Sequence, residues 1–222
     1  MEEHIVKILD IMRVTHDVKR FQVEKPEGYS FVPGQATEVS VNSPELRNRK
    51  NPFTFTCLTK EPYLEFTIKI YPERKGVTAA LDQLKPGDEL ILRDVWGAIH
   101  YNGKGVFIAG GAGITPFLSI LRDLDDRGEV KGNRLIFANK TKSDIIYEDY
   151  FRKLLGSDFI NILSREKVEG YNWGRISEQF LRDNIGDRER EFYVCGPDAM
   201  IKYVVGLLDN IGVTKKSITL EL

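Results

Sequence analysis

Cysteine and histidine are scarce in this chain. Two cysteines, Cys57 and Cys195, stand far apart among 222 residues, and the three histidines, His4, His16 and His100, are scattered. Four thiolates for an iron–sulfur cluster or a structural zinc are lacking, and no histidine spacing suits an ion, so no metal is expected. Long apolar runs are also missing: none approaches the roughly 20 residues that span a bilayer. Neither sign of charge is in excess, with 32 basic against 33 acidic residues, so no field draws the chain to nucleic acid or an anionic membrane. The first residues, Met1-Glu-Glu-His4, show neither the basic region nor the apolar core of a secretory signal, and the expected location is cytoplasmic. What is present, 41% hydrophobic and 29% charged residues, is ordinary for a globular protein of one large domain or two of about 100 residues.

Two rhythms divide the chain. Up to about residue 100 the apolar residues alternate, as in His4-Ile-Val-Lys-Ile-Leu, Val18-Lys-Arg-Phe-Gln-Val, Thr37-Glu-Val-Ser-Val and Leu64-Glu-Phe-Thr-Ile-Lys-Ile-Tyr71. Turn signals at Pro26-Glu-Gly28, Pro33-Gly34 and Pro86-Gly87-Asp88 separate them, and only Val77–Leu84 reads as helical. Many short strands at this spacing predict an antiparallel β-barrel over residues 1–102. Over residues 103–222 strands alternate with helices. Strands are expected at 106–109, 134–138, 159–163, 191–194 and 217–220, and helices at 116–127, 146–155, 177–184 and 197–210. Five strands with crossover helices predict a doubly wound parallel sheet.

The most informative segment opens that second half. The apolar run Val106–Ala109 leads into Gly110, Gly111 and Gly113 and then Thr115-Pro116. Threonine is a favoured N-cap and proline suits the first helical position. A strand, a glycine turn and a helix N-terminus in this order can hold a pyrophosphate, because N–H groups and the helix dipole both favour negative charge. The order fails the G-x-G-x-x-G fingerprint, since Pro116 stands where its last glycine belongs. A tight strand–helix connection without a ligand is the alternative reading.

Four motifs in order resemble those of the ferredoxin–NADP reductase family, and the resemblance covers nearly the whole chain. Asn51-Pro52-Phe53-Thr54 is similar to its flavin motif Arg-x-Tyr-Ser, and Gly76-Val77-Thr78 to its flavin-phosphate motif. Gly110-Gly-Ala-Gly-Ile-Thr-Pro116 resembles its nicotinamide-nucleotide loop, and Cys195-Gly196-Pro197-Asp-Ala-Met200 its Cys-Gly-Pro-x-x-Met signature. The resemblance implies a flavin-binding barrel and an NADP-binding α/β domain. It places Asn51 to Thr54, Ile68, Ile70 and Gly76 to Thr78 at the flavin. It places Gly110, Gly111, Gly113, Thr115, Pro116, Cys195, Gly196, Pro197 and Met200 at the nicotinamide nucleotide. Thr54, Thr115 and Cys195 are implied at the hydride-transfer site, Cys195 beside the nicotinamide; a buried small thiol is its plainer reading. Phe53 offers a flat apolar face to an isoalloxazine ring, and Thr54 a hydroxyl to its reactive nitrogen.

Two departures stand out. Asn51 replaces the flavin-motif arginine, although Arg49, Lys50, Arg74 and Lys75 are near in sequence. The last residues, Thr219-Leu-Glu-Leu222, carry no aromatic of the kind with which several family members cover the flavin.

NAD-specific sites usually carry an acid at the end of the second strand. Here that strand runs into Asn139-Lys140-Thr-Lys142, and the third into Ser164-Arg165-Glu166. Ser164-Arg165 resembles the segment with which NADP-dependent relatives bind the extra phosphate, so NADPH is expected over NADH, held by Arg165 with Ser164 and Lys140. The resemblance thus implies a flavoprotein reductase, with FAD before FMN, passing electrons from NADPH to a separate ferredoxin, flavodoxin or oxygenase component. A free-flavin or ferric reductase and a non-catalytic electron-transfer subunit are the alternatives; the latter class typically carries a cysteine cluster, absent here.

Overall fold

The computed structural model describes residues 2–73, 76–97, 99–186 and 190–220. It divides into two compact units, Met1–Gly97 and Ala98–Leu222.

In the first unit six strands form one antiparallel sheet: β1 (His4–Thr15), β2 (Val18–Glu24), β3 (Ala36–Val41), β4 (Asn51–Thr54), β5 (Tyr63–Lys69) and β6 (Glu89–Trp96). They lie in the order β4-β3-β6-β1-β2-β5. The two outer strands meet, because the chain beyond β4 bridges Phe55 to Phe66 and Thr56 N–H donates to Glu65 O at 2.8 Å. That contact curls the sheet towards a barrel. Alternation supplies the core: Phe21, Val23, Leu64, Phe66 and Leu92 are fully buried, and Phe31 stacks on Phe55 at 4.3 Å between centroids. The helix α1 spans only Val77–Leu81, three residues short of the expected Leu84. Beyond it Gln83 and Leu84 donate to Ala80 and Leu81, so the last turn tightens ahead of Pro86 instead of continuing as α-helix.

The second unit is a parallel sheet in the order β10-β9-β8-β7-β11-β12. Its strands are β7 (Gly105–Gly110), β8 (Arg134–Asn139), β9 (Phe159–Leu163), β10 (Asn172–Trp173), β11 (Glu191–Cys195) and β12 (Ile218–Leu220). The five expected strands are present, and the two-residue β10 adds a sixth at the edge; two exposed residues carry no periodicity to read. The helices are α2 (Thr115–Asp126), α3 (Glu148–Leu155), α4 (Glu178–Asn184) and α5 (Asp198–Asn210). Phe117 of α2 packs edge-on to Phe107, and Phe151 of α3 against Phe159. Leu181 of α4 and Ile201, Val204 and Leu208 of α5 share a core with Val106, Ile108, Ile136 and Ile162. Alternate residues of a strand face opposite sides, so the two helix pairs cover opposite faces. The switch of face accompanies the reversal of strand order at β7, as right-handed crossovers require.

Tyr193, fully buried, ties the start of this unit to its sheet. Its hydroxyl accepts from Asn102 N–H at 2.9 Å and Gly103 N–H at 3.0 Å and donates to Gly103 O at 2.7 Å. Among the described residues no helix is long and apolar enough to cross a membrane.

Candidate functional site

In an open parallel sheet, ligands bind beyond the carboxyl ends of the strands where the strand order reverses. Here that point lies between β7 and β11, which pair directly, Cys195 opposite Ala109. The two most specific sequence motifs leave the sheet at this point and pack on each other. A Cβ on Gly113 would stand 2.5 Å from the carbonyl of Cys195 and from Gly196 N. One on Gly110 would meet Met200 Sδ at 2.1 Å, and one on Gly196 would meet Gly110 Cα at 3.2 Å. Gly113 and Gly196 therefore serve close backbone approach, whereas Gly110 makes room for the Met200 side chain. Gly111 differs: its φ of +54° is the left-handed region that favours glycine, and nothing lies within 4 Å of its missing Cβ. The ledge beside it is clear.

Helix entry departs from the sequence expectation at both motifs. Thr115 is not the N-cap of α2. Gly111–Ile114 already forms a 3₁₀ turn, so Ile114 at φ −69°, ψ −20° takes that place and Thr115 lies in the first helical turn. A cap residue needs an extended conformation, which the 3₁₀ turn has used up. The Thr115 hydroxyl donates back to Ala112 O at 3.1 Å. Pro197, expected in the first turn of α5, is its N-cap, with ψ 140°. The first turn of α2 contains no acid, whereas that of α5 contains Asp198. The N–H groups of α2 are thus the better anion site. Cys195 is 3% exposed and Met200 half-buried against the core.

Two neighbouring strand ends extend this edge. Ser164 N–H and Oγ both donate to Asn139 O, at 3.0 and 3.3 Å, and Arg165 N–H donates to Lys140 O at 2.9 Å. Ser164, Arg165, Lys140 and Asn139 therefore stand together. Beside them a cleft of about 600 Å³ is lined by Thr141, Lys142, Ser143, Glu148 and Glu166. Glu166 accepts Lys142 N–H at 2.8 Å, which brings an acid to the second strand end after all. Sequence reading named Asn139 only as the end of the second strand, although a polar residue closing the apolar run Leu135–Ala138 is itself a signal; Glu148 is bonded to Tyr171 and Arg152.

In the barrel unit, β4 carries the flavin motif. Thr54 is 7% exposed, and Phe53 is half-buried against the core. Asn51 pairs with Val39, and Pro52 is exposed. Ile68 and Ile70, 2% and 5% exposed, belong to the apolar core. Gly76 precedes α1 with extended backbone and open space at its Cβ position; Val77 is buried and Thr78 half-buried. Lys50 is paired with Glu38 at 3.2 Å, and Arg49 is exposed. Arg74, Lys75 and Leu222 lie outside the described residues.

Residues 6–101 match the profile of the oxidoreductase FAD-binding domain, and residues 107–206 that of the oxidoreductase NAD-binding domain. The chain belongs to the ferredoxin–NADP reductase family. It is 29% identical to the reductase component of propane 2-monooxygenase from Rhodococcus jostii, over 96% of this chain and 61% of that protein. It is 28% identical to NADH-cytochrome b5 reductase 2 of Mycosarcoma maydis, over 89% and 62%. The chain thus spans less than two thirds of either relative. Its fold is that of the ferredoxin NADP⁺ reductase from Neisseria gonorrhoeae with bound FAD and NADP: TM-score 0.86 and 20% identity, over 100% of this chain and 98% of that one. As a member of the reductase family it carries domains for FAD and for a nicotinamide dinucleotide. The clear ledge at Gly111, the acid-free start of α2 and the cations Lys140 and Arg165 fit the latter.

Proposed function

We propose that the chain is an NADPH-dependent flavoprotein reductase of the cytoplasm that hands electrons to a separate protein carrier, such as a ferredoxin, a flavodoxin or an oxygenase component. FAD, when bound, supplies the exchange between hydride and single-electron chemistry. The chain's own residues bind and orient. The observation that carries the reading is the junction of Gly110–Gly113 with Cys195–Met200 at the switch point of the sheet, in a chain whose other unit presents Phe53 and Thr54 on β4.

In this reading Phe53 lies along the flavin ring, Thr54 orients it, and Gly76 to Thr78 meet its phosphates, with Asn51, Pro52, Ile68 and Ile70 shaping the remainder. Arg49 stands in for the missing motif arginine, since Lys50 is held by Glu38. Gly111, Thr115 and Pro116 face the pyrophosphate. Arg165, Ser164 and Lys140 take the extra phosphate of NADPH, for which a guanidinium is geometrically selective. Cys195 and Thr115 keep the nicotinamide in place without ionising, the gain being one of orientation. A second reading, NADH in place of NADPH, is favoured by Glu166, whose carboxylate stands at the second strand end where NAD sites keep an acid.

The purified chain is expected to be yellow, to release FAD on denaturation, and to bleach with NADPH in the absence of oxygen. Adding a ferredoxin or flavodoxin should restore the colour. A colourless protein that neither FAD nor FMN reconstitutes contradicts the reading. Faster bleaching by NADH than by NADPH selects the second.

A further inference from the structure

At the carboxyl end of β8 stands a buried side chain with nothing to bond. Asn139 is 7% exposed, and neither its amide nitrogen nor its amide oxygen has a hydrogen-bond partner among the described residues. Native proteins rarely leave a buried amide unmet, because its desolvation is then uncompensated. The residues before it, Leu135 to Ala138, are apolar, so the strand itself gives no reason for an asparagine here.

Its location is specific. Ala138 pairs with Gly110 and Asn139 with Leu163, so Asn139 is level with Gly111, where β7 leaves the sheet. Its carbonyl accepts both Ser164 donors, and Lys140 follows it directly. The residues around it are those that the proposed function assigns to the dinucleotide.

We infer that the Asn139 side chain is itself a dinucleotide contact, bonded to the free 3′-hydroxyl of the adenosine ribose; this rests on the reading of this unit as the NADPH site. An unmet donor together with an unmet acceptor calls for a partner that both accepts and donates. A phosphate only accepts and would leave the amide oxygen unmet. A ribose hydroxyl satisfies both, and Ser164 and Arg165 mark the adenosine end. The competing account is a buried water shared with Asn161, 6% exposed, whose Oδ1 is also without a partner and which sits opposite Phe137 on the same face.

Replacing the amide by an apolar group of similar shape separates the two accounts. Asn139→Leu in the full flavin-loaded chain removes two unmet polar atoms, so its unfolding midpoint without nucleotide should hold or rise. Its affinity for NADP⁺, and for adenosine 2′,5′-bisphosphate as the adenosine half alone, should fall roughly tenfold or more. Asn139→Ala, which fits any packing, should show the same loss of affinity. An earlier unfolding of Asn139→Leu with unchanged binding by Asn139→Ala reveals a structural water and overturns the inference. So does unchanged affinity in both variants at any stability. Failure of the wild-type chain to bind NADP⁺ or NAD⁺ at all sinks the underlying reading instead.

Discussion

Glycine does opposite jobs in the two units. In the α/β unit Gly105, Gly110, Gly113 and Gly196 are crowded: a Cβ on Gly105 would stand 2.1 Å from Glu191 O, and one on Gly113 2.5 Å from the Cys195 peptide. In the barrel unit Gly76 has an extended backbone and open space around it. Gly105 and Gly113, which meet main chain, are demanded by the fold, so their loss is felt with or without a ligand. Gly76 is not required by packing among the described residues, and in the proposed reading its small size serves a bound phosphate.

The largest expected effect breaks that comparison directly. Gly113→Ala drives a methyl into main chain that cannot swing aside, and should cost about 3 kcal/mol or more of stability. Gly76→Ala should change stability by less than about 1 kcal/mol while lowering FAD retention. Chemical denaturation and the flavin-to-protein ratio read the two quantities. Equal destabilisation by both substitutions would erase the distinction.

Arg165→Ala comes next. A charged hydrogen bond to phosphate is worth roughly 1.5–3 kcal/mol, so the apparent KM for NADPH should rise by one to two decades. NADH should be nearly unaffected, and the unfolding midpoint unmoved. Equal losses with both nucleotides would make Arg165 a structural residue.

Alkaline pH sharpens the contrast between the units. Burial pushes the Tyr193 hydroxyl up to about 12 from 10.0, against the lowering effect of the Asn102 and Gly103 amides. Burial likewise pushes the Cys57 thiol of the barrel up to about 12 from 9.0. Each folded state holds its proton more tightly than the unfolded chain. The stabilisation is therefore complete below the unfolded value and is lost as pH rises towards 12. Stability linked to the barrel should begin to fall near pH 9, and that linked to the α/β unit near pH 10. Tyr193→Phe should remove only the upper window, and Cys57→Ala the lower. At neutral pH Tyr193→Phe should also cost about 1–3 kcal/mol, because the Asn102 and Gly103 N–H groups lose their acceptor.

The smallest effect concerns rate alone. Cys195→Ser keeps the size of a 3% exposed side chain beside Gly113 while changing its radius and polarity. Stopped-flow bleaching at saturating NADPH should slow by roughly a decade with affinity preserved. A wild-type rate would leave Cys195 as packing.

Periodicity showed both architectures because each apolar position of β5 or α5 reports its face, Leu64, Phe66 and Ile68 in one and Ile201, Val204 and Leu208 in the other. The meeting of the two motifs followed from strand order, since β7 and β11 flank the reversal. What escaped were features set by tertiary fit. The 3₁₀ turn at Gly111–Ile114 displaced Thr115 from the cap, and β10 is too short for any pattern. The return of Glu166 onto Lys142 and the unmet amide of Asn139 depend on contacts between strand ends that spacing does not encode.

An anaerobic titration of the purified flavin-loaded chain with NADPH, followed by a ferredoxin or flavodoxin, tests the central claim most directly. The account predicts loss of the yellow colour at about one equivalent of NADPH, faster than with NADH, and its return when the oxidised carrier is added. Colour that persists through excess NADPH and NADH alike would contradict it.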